Sequence, residues 1–126
     1  MWKHISNEFQ VEVNFMFEGA IIKETLTDEL LLDFLEIDKV EIWKTGTGIK
    51  YWTMIFFRSE TEDLPQRLAN TIISDWFADM KKDNTKYIIF KDKVLKYEIG
   101  NLAQKEDVLN TMRSWGIPES QFNWSE

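Results

Sequence analysis

Alternation of apolar and polar side chains is the feature that most constrains how this chain can fold. Between residues 9 and 17 every second residue is apolar, and most of the residues between them are polar. A period of two is typical of a half-buried β-strand, because successive side chains of a strand point to opposite faces. Glu18 and Gly19 can follow it with a tight turn, which predicts a first hairpin that returns along residues 20–25.

Two more hairpins are predicted further along the chain. The second hairpin joins residues 40–44 to residues 49–58 around the turn Thr45-Gly46-Thr47-Gly48. Its returning strand is apolar on both faces, so we expect that strand to lie in the centre of the sheet and to be covered on both sides. The third hairpin covers residues 85–99, with its turn at Asp92-Lys93.

Helical patterns separate these hairpins. Thr27 is predicted to cap a short helix, and a long helix is predicted from Leu64 to about residue 82. The apolar stripe of the long helix recurs every four residues at Leu64, Leu68, Ile72, Trp76 and Met80. A last helix is predicted between about Leu102 and Trp115, with Asn101 as its N-cap and Gln104 as the reciprocal partner. The sequence Gly116-Ile117-Pro118 predicts its end, because glycine accepts the left-handed conformation and proline cannot continue a helix.

These elements predict an α+β fold of three β-hairpin-plus-helix units, at about residues 9–36, 40–82 and 86–115. The sheet is expected to be largely antiparallel, with the helices packed on one side. The length of residues 1–126 fits a single globular domain better than two. Residues 117–126 are expected to form a short polar C-terminal tail.

The sequence contains no segment that resembles a membrane helix or a signal peptide. No run approaches the roughly 20 apolar residues that a membrane helix needs, and the N-terminus lacks the apolar core of a secretory signal. The chain also contains no cysteine, which agrees with a reducing compartment. We therefore expect a cytoplasmic protein that does not associate with a membrane.

Most catalytic signatures are missing from the sequence. The glycines are scattered rather than gathered in a phosphate-binding loop, and the single histidine, His4, lies close to the N-terminus. Zinc sites use cysteine and histidine, which this chain almost lacks, so a zinc site is not expected. A magnesium or calcium site made of carboxylates is still possible. Asp75, Asp79 and Asp83 recur every four residues, and we interpret them as the solvated face of the long helix. We assign no catalytic residue, cofactor or metal ligand.

Charge is distributed unevenly along the chain. The formal net charge is -7, and residues 1–63 hold 13 acidic and 6 basic side chains whereas residues 64–126 hold 9 of each. A net negative surface repels phosphates, which argues against direct binding to nucleic acid and to anionic membranes. A lysine-rich cluster in the second half is interpreted as protection of an open sheet edge. That cluster comprises Lys81, Lys82, Lys86, Lys91, Lys93 and Lys96.

Acidic residues and two tryptophans in the first half suggest a binding surface. Acids close together repel one another, and a basic partner would relieve that repulsion and would be attracted quickly. Trp43 and Trp52 are expected to lie near each other across the second hairpin, either as a structural pair or as exposed anchors for a partner. The predicted partner-binding residues are Glu24, Asp28, Glu29, Asp33, Glu36, Asp38, Glu41, Trp43, Trp52, Glu60, Glu62 and Asp63.

These observations favour a non-enzymatic protein-binding function. The chain is predicted to be an inhibitor, of the immunity, antitoxin or phage anti-defence type, that blocks a basic protein such as a nuclease or another nucleic-acid-binding protein. Two alternatives stay open at this stage. One is a carboxylate-based, metal-dependent enzyme, and the other is a scaffold domain whose aromatic residues form a homo-oligomer.

Overall fold

A computed structural model describes residues 16–46 and 51–126 of the chain. Within them a six-stranded sheet has the strand order β2-β3-β1-β4-β5-β6, and every neighbouring pair is antiparallel. This confirms the predicted α+β class and antiparallel sheet. The strands are β1 (Phe17–Ile22), β2 (Glu36–Lys44), β3 (Tyr51–Ser59), β4 (Phe77–Lys82), β5 (Thr85–Phe90) and β6 (Lys93–Glu98).

Two α-helices and three short 3-10 helices complete the described chain. The α-helices are α1 (Leu64–Thr71) and α2 (Leu102–Ser114), and the 3-10 helices are Lys23–Thr25, Glu29–Phe34 and Glu119–Gln121. No helix among residues 16–46 and 51–126 is long and apolar enough to cross a membrane.

The helices pack on opposite faces of the sheet. Ile89 of β5 belongs to a core cluster with Leu64 and Leu68 of α1, whereas its neighbour Ile88 belongs to a second cluster with Met112 of α2. Consecutive strand residues point to opposite faces, so α1 covers what we name the first face and α2 covers the second face. The expectation that all helices pack on one side is therefore wrong.

The predicted three-unit order is also not found in the described residues. Strand β1 lies between β3 and β4 rather than in a hairpin of its own, and β4, β5 and β6 form a continuous meander. The first predicted helix is a 3-10 helix capped by the Asp28 side chain, which accepts a hydrogen bond from the Leu30 amide, and not by Thr27. Strand β3 is the second strand from the edge, not the central one.

The turn predicted at Glu18-Gly19 is wrong, because β1 runs straight through both residues. A Cβ atom at position 19 would lie 2.9 Å from the Asp79 carbonyl oxygen and 3.1 Å from Cζ of Phe57. Glycine at this position therefore permits close packing between the neighbouring strands and does not reverse the chain. Residues 9–15 of the predicted first strand lie outside the described residues.

The predicted long helix ends much earlier than its apolar stripe suggested. Helix α1 stops at Thr71, Ile72 is already extended, and Asp75 has a φ of 70°. The chain then turns into β4, which pairs with both β1 and β5. Asp75 and Asp83 lie in turns and Asp79 lies on β4, so the predicted acidic helix face does not exist.

The final hairpin and helix confirm their sequence signals. Strands β5 and β6 pair across the turn Lys91-Asp92, one residue earlier than expected. At the start of α2, Oδ1 of Asn101 accepts from the Gln104 amide, while Oε1 of Gln104 accepts from the Glu98 amide rather than from Asn101. Gly116 ends the helix with a φ of 79°. The Ile117 amide donates to the Met112 carbonyl at 3.2 Å, which is the bond expected of a Schellman cap.

Candidate interaction surface

Strand β2 forms one edge of the sheet. Among the described residues it pairs with β3 alone, and it is nine residues long. The strand is exposed along nearly all of its length, including apolar residues that would ordinarily be buried. Ile42 is 63% exposed and Val40 is 51% exposed. A long edge strand with exposed apolar side chains between its charged ones offers unpaired backbone groups beside apolar surface, which is a template for pairing with another chain.

A β-bulge at Asp38 determines which side chains share a face of this edge. Ile37 lies opposite Phe57, whereas Val40 lies opposite Ile55, so the register shifts by one residue between them. A shift of one residue moves side chains to the other face. Because of the bulge, Ile37 and Val40 both lie on the first face, and Ile42 follows them there. The edge therefore presents an aliphatic row on that face.

The second face of the same edge carries charged residues and a tryptophan. Trp43 lies directly opposite Trp52, which confirms that the two tryptophans are neighbours across the hairpin. Nε1 of Trp43 donates to Glu41 at 2.9 Å, and Lys39 lies 3.1 Å from the same carboxylate. These contacts hold the pKa of Glu41 below its usual value. The Trp52 ring packs edge-on against Trp76, with ring centroids 5.0 Å apart. Trp43, with 44% exposure, is therefore the more accessible of the two tryptophans.

Arg58 anchors the bulge. Its guanidinium donates from Nε to both carboxylate oxygens of Asp38, at 3.0 and 3.1 Å, and lies 3.9 Å from Glu36. The Asp38 side chain is thus held in one orientation beside the strand. A bidentate pair of this kind adds geometric definition even where solvent screens its energy.

Acidic residues gather where β2 begins and β3 ends. Ser59 Oγ donates to the Phe34 carbonyl at 2.6 Å, which joins the Glu29–Phe34 helix to the end of β3, and Glu36 lies opposite Arg58 in the register. Asp33, Glu60 and Glu62 form no ion pair within residues 16–46 and 51–126. We name this group the acidic end. It consists of Asp33, Glu36, Asp38, Glu60, Glu62 and Asp63.

Several acids of the predicted binding set, including Asp63 of the acidic end, have structural contacts. Glu24 accepts from the Thr53 amide at 2.7 Å and from the Thr53 hydroxyl at 2.8 Å. Burial acts to raise the pKa of Glu24, but these hydrogen bonds outweigh it and the pKa is lowered. Asp28 caps a helix, Glu29 pairs with Lys23 at 3.3 Å, and Asp63 pairs with Arg67 at 2.8 Å. The predicted set is thus divided between the β2 edge, the acidic end and structural positions, and its role in binding stays a prediction.

The lysine cluster is divided as well. Lys93 and Lys96 lie exposed on β6, the opposite edge strand, where protection of the edge was expected. Lys86 is buried on β5, with its side chain only 5% exposed and paired with Asp79 at 2.5 Å. Lys86 therefore belongs to the interior of the fold and not to the protection of a sheet edge.

No metal site is evident in the part of the chain that the structure describes. Within it, no group of three or more histidine, cysteine, aspartate or glutamate side chains is arranged to hold a metal ion.

No family model, no curated protein and no solved structure matches this chain. The surface geometry is therefore what any functional interpretation has to rest on.

Sequence reasoning missed an aromatic groove of about 810 Å³. Its lining includes Trp52, Trp76, Phe90, Trp115 and Pro118. The sequence places Trp76 on a helix stripe and Trp115 at the end of another helix. The residues of the groove come from distant parts of the chain, so the sequence signal is limited to an aromatic content of 14%.

Proposed function

We propose that this chain is a non-enzymatic protein-binding protein that docks a basic partner along strand β2. The observation that carries the proposal is the composition of that edge. An exposed aliphatic row, Ile37, Val40 and Ile42, lies beside carboxylates of the acidic end. The partner class is a protein with a positively charged surface, such as a nucleic-acid-acting protein, and the consequence of binding is inhibition.

The two components of this edge have different tasks. Burial of aliphatic surface supplies affinity, at roughly 25 cal/mol for each Å² removed from water. Carboxylates supply steering and choice of partner, because opposite charges speed association and like charges reject wrong partners. The net charge of -7 extends this preference over the whole molecule. A basic surface that binds phosphates would be covered by such a protein, which is how the inhibition would arise.

The position of the docking surface can be tested by site-specific photo-crosslinking in host extract. A photoreactive residue at Val40 samples the β2 edge, and one at Leu102 samples another exposed apolar position, since Leu102 is 79% exposed on α2. We expect a partner with a basic surface to be captured from position 40 and not from position 102. Equal capture from both positions, or capture from neither, contradicts the proposal.

The role of charge can be tested with the purified captured partner. Asp33→Lys reverses a charge in the acidic end, and Asp107→Lys is the matched control on α2. Neither side chain forms an ion pair with the described residues, so both variants should fold. We expect the association rate to fall about tenfold at low salt for Asp33→Lys and to stay unchanged for Asp107→Lys. Equal rates for the two variants would remove the electrostatic part of the proposal.

A second copy of this chain is the other occupant that the edge could accept. Two β2 strands could pair about a two-fold axis, since such an interface uses the same patch on both subunits. The net charge of -7 on each copy opposes this arrangement. The molar mass in solution decides the point: a monomer over a wide range of concentrations agrees with a foreign partner, and a stable dimer that Val40→Lys dissociates contradicts it.

A further inference from the structure

We infer that the partner binds as an added β-strand in which aliphatic residues alternate with lysine or arginine. This inference rests on the proposed function and specifies the segment that the β2 edge would recognise. Two observations on β2 support it. Its first face is aliphatic whereas its second face is charged, and its outer backbone groups are unpaired within the described residues.

The backbone provides the first part of the argument. An edge strand has one row of amide and carbonyl groups directed away from the sheet, and within the described residues no other strand pairs with that row on β2. An extended segment can satisfy these groups by adding a strand, which is a recurring mode of peptide recognition. The nine residues of β2 are long enough to accept such a segment.

The side chains provide the second part. An added strand places alternate side chains on alternate faces. On the first face they would meet Ile37, Val40 and Ile42. On the second face they would meet Glu36 and Glu41, together with Lys39, which pairs with Glu41 at 3.1 Å and leaves this row with a net negative charge. Aliphatic residues suit the first set of neighbours and basic residues suit the second. Trp43, which lies on the second face with 44% exposure, can also contact the stem or the cation of a lysine or arginine.

The bulge at Asp38 makes this alternation specific to the observed register. Without it Ile37 and Val40 would lie on opposite faces, and the edge would present mixed chemistry on both. With it, the aliphatic row is continuous and the carboxylates are kept to the other side. Arg58 holds Asp38 in place through two hydrogen bonds, so the recognition pattern is built into the folded strand.

Synthetic peptides test the inference directly. The probe is a fluorescently labelled nine-residue peptide that alternates isoleucine or valine with lysine, and its binding to the full chain is measured by anisotropy. The first control has the same composition with the lysines in one block. Two further controls carry N-methyl groups, either on all aliphatic positions or on all lysine positions. In an antiparallel pair these two sets of amides point to opposite edges of the peptide.

The added-strand mode predicts an asymmetric result. The alternating peptide should bind, the block peptide should bind at least tenfold more weakly, and one N-methylated peptide should lose binding at least tenfold while the other retains it. Val40→Lys should weaken binding of the alternating peptide at least tenfold, whereas Leu102→Lys should not. Both variants place lysine at an exposed position, so their thermal unfolding should match that of the unmodified chain.

Three other results would overturn the inference, and the first two distinguish its failure from that of the proposed function. If all four peptides bind equally and Asp33→Lys weakens them all, docking depends on charge without strand addition, and the proposed function stands alone. If none of the peptides binds while a natural partner is crosslinked from position 40, the recognised surface is not an extended segment. If position 40 also captures nothing, both the inference and the proposed function fail.

Discussion

The two edge strands of this sheet differ in how much apolar surface they expose. On β6 the exposed side chains are charged, Lys93, Lys96 and Glu98, while Tyr97 is buried under the C-terminal residues. On β2 the exposed side chains also include two lysines, Lys39 and Lys44, but aliphatic residues and a tryptophan are exposed between the charges. Lysine on an edge is a common means of preventing edge-to-edge association. Both edges thus carry lysine, but only β2 among the two also exposes an aliphatic row. We name the part of the molecule around β6 and α2 the stabilising half, because its edge strand is covered by the C-terminal residues.

The stabilising half is held together by contacts on the second face. Trp124 packs edge-on against Phe77 and donates to the Tyr97 hydroxyl at 2.9 Å. That hydroxyl in turn donates to the Glu126 carboxylate, which also pairs with Lys105 at 3.4 Å. The C-terminal residues thus contribute to the core that α2 covers. At the β2 edge, by comparison, the aliphatic side chains have few neighbours within the described fold.

The largest expected contrast is between truncations in these two regions. Met112→Ala removes a fully buried side chain of α2 and should lower the free energy of unfolding by about 2–5 kcal/mol. Ile42→Ala on β2 should change it by no more than about 0.5 kcal/mol. Urea unfolding followed by circular dichroism measures both. A loss at Ile42 comparable to that at Met112 would show that the edge is part of the core.

The next effect concerns the buried ion pair. Asp79→Ala should lower the free energy of unfolding by about 2–3 kcal/mol, since it leaves the Lys86 ammonium buried without its partner. This loss is smaller than the roughly 3–5 kcal/mol expected when a fully buried ion pair is broken, because Asp79 itself is 35% exposed. Adding Lys86→Met should recover most of the loss, because no buried charge then remains. A double variant as unstable as Asp79→Ala would show that the carboxylate acts through another contact.

A smaller effect is expected from pH at the C-terminal residues. The Tyr97 hydroxyl holds the pKa of Glu126 below its usual value, with further help from Lys105. A lowered folded pKa means that this stabilisation is present above the unfolded pKa of about 4.3 and is lost as the pH falls through the folded pKa. Glu126→Gln should therefore be less stable than the unmodified chain at pH 6, by less than about 1 kcal/mol, and the two should converge towards pH 3. Asp107→Asn serves as the control, and a difference that persists at pH 3 would contradict the assignment.

The smallest effect on stability should come from placing an aliphatic residue on the β6 edge or a lysine on the β2 edge. Lys96→Ile and Val40→Lys should each change the free energy of unfolding by no more than about 0.5 kcal/mol. Their effects on association should be opposite, because Lys96→Ile exposes an apolar edge and Val40→Lys protects one. Light scattering at increasing concentration measures this. If Lys96→Ile does not increase self-association, lysine on β6 has no protective role.

Local sequence signals predicted the regions in which short-range chemistry decides the structure. The β5–β6 hairpin follows from its alternation, and α2 follows from the Asn101 cap and the Gly116 stop. These elements are determined by hydrogen bonds between residues close in sequence, so their signals can be read directly. The Trp43 and Trp52 pair was predictable for the same reason, since a hairpin places them opposite each other.

The other predictions were wrong where pairing between strands distant in sequence decides the structure. The stripe through Trp76 and Met80 fits a helix, but pairing of β4 with β1 and β5 overrides the local preference. Gly19 resembled a turn residue, whereas its lack of a side chain serves close strand packing. The bulge at Asp38 has no distinct sequence signature, and it decides which residues share a face. The acids of the candidate surface could thus be named from sequence, but not their division between structural and exposed positions.

Hydrogen exchange of the β2 amides is the most direct test of the claim that this edge is the interaction surface. Exchange is measured with and without the alternating isoleucine–lysine peptide, or with the captured partner. The account predicts that protection increases for alternate amides within Glu36–Lys44 and changes little in β6 and α2. Protection that appears on β6 or α2 instead, with the β2 amides unchanged, would contradict it.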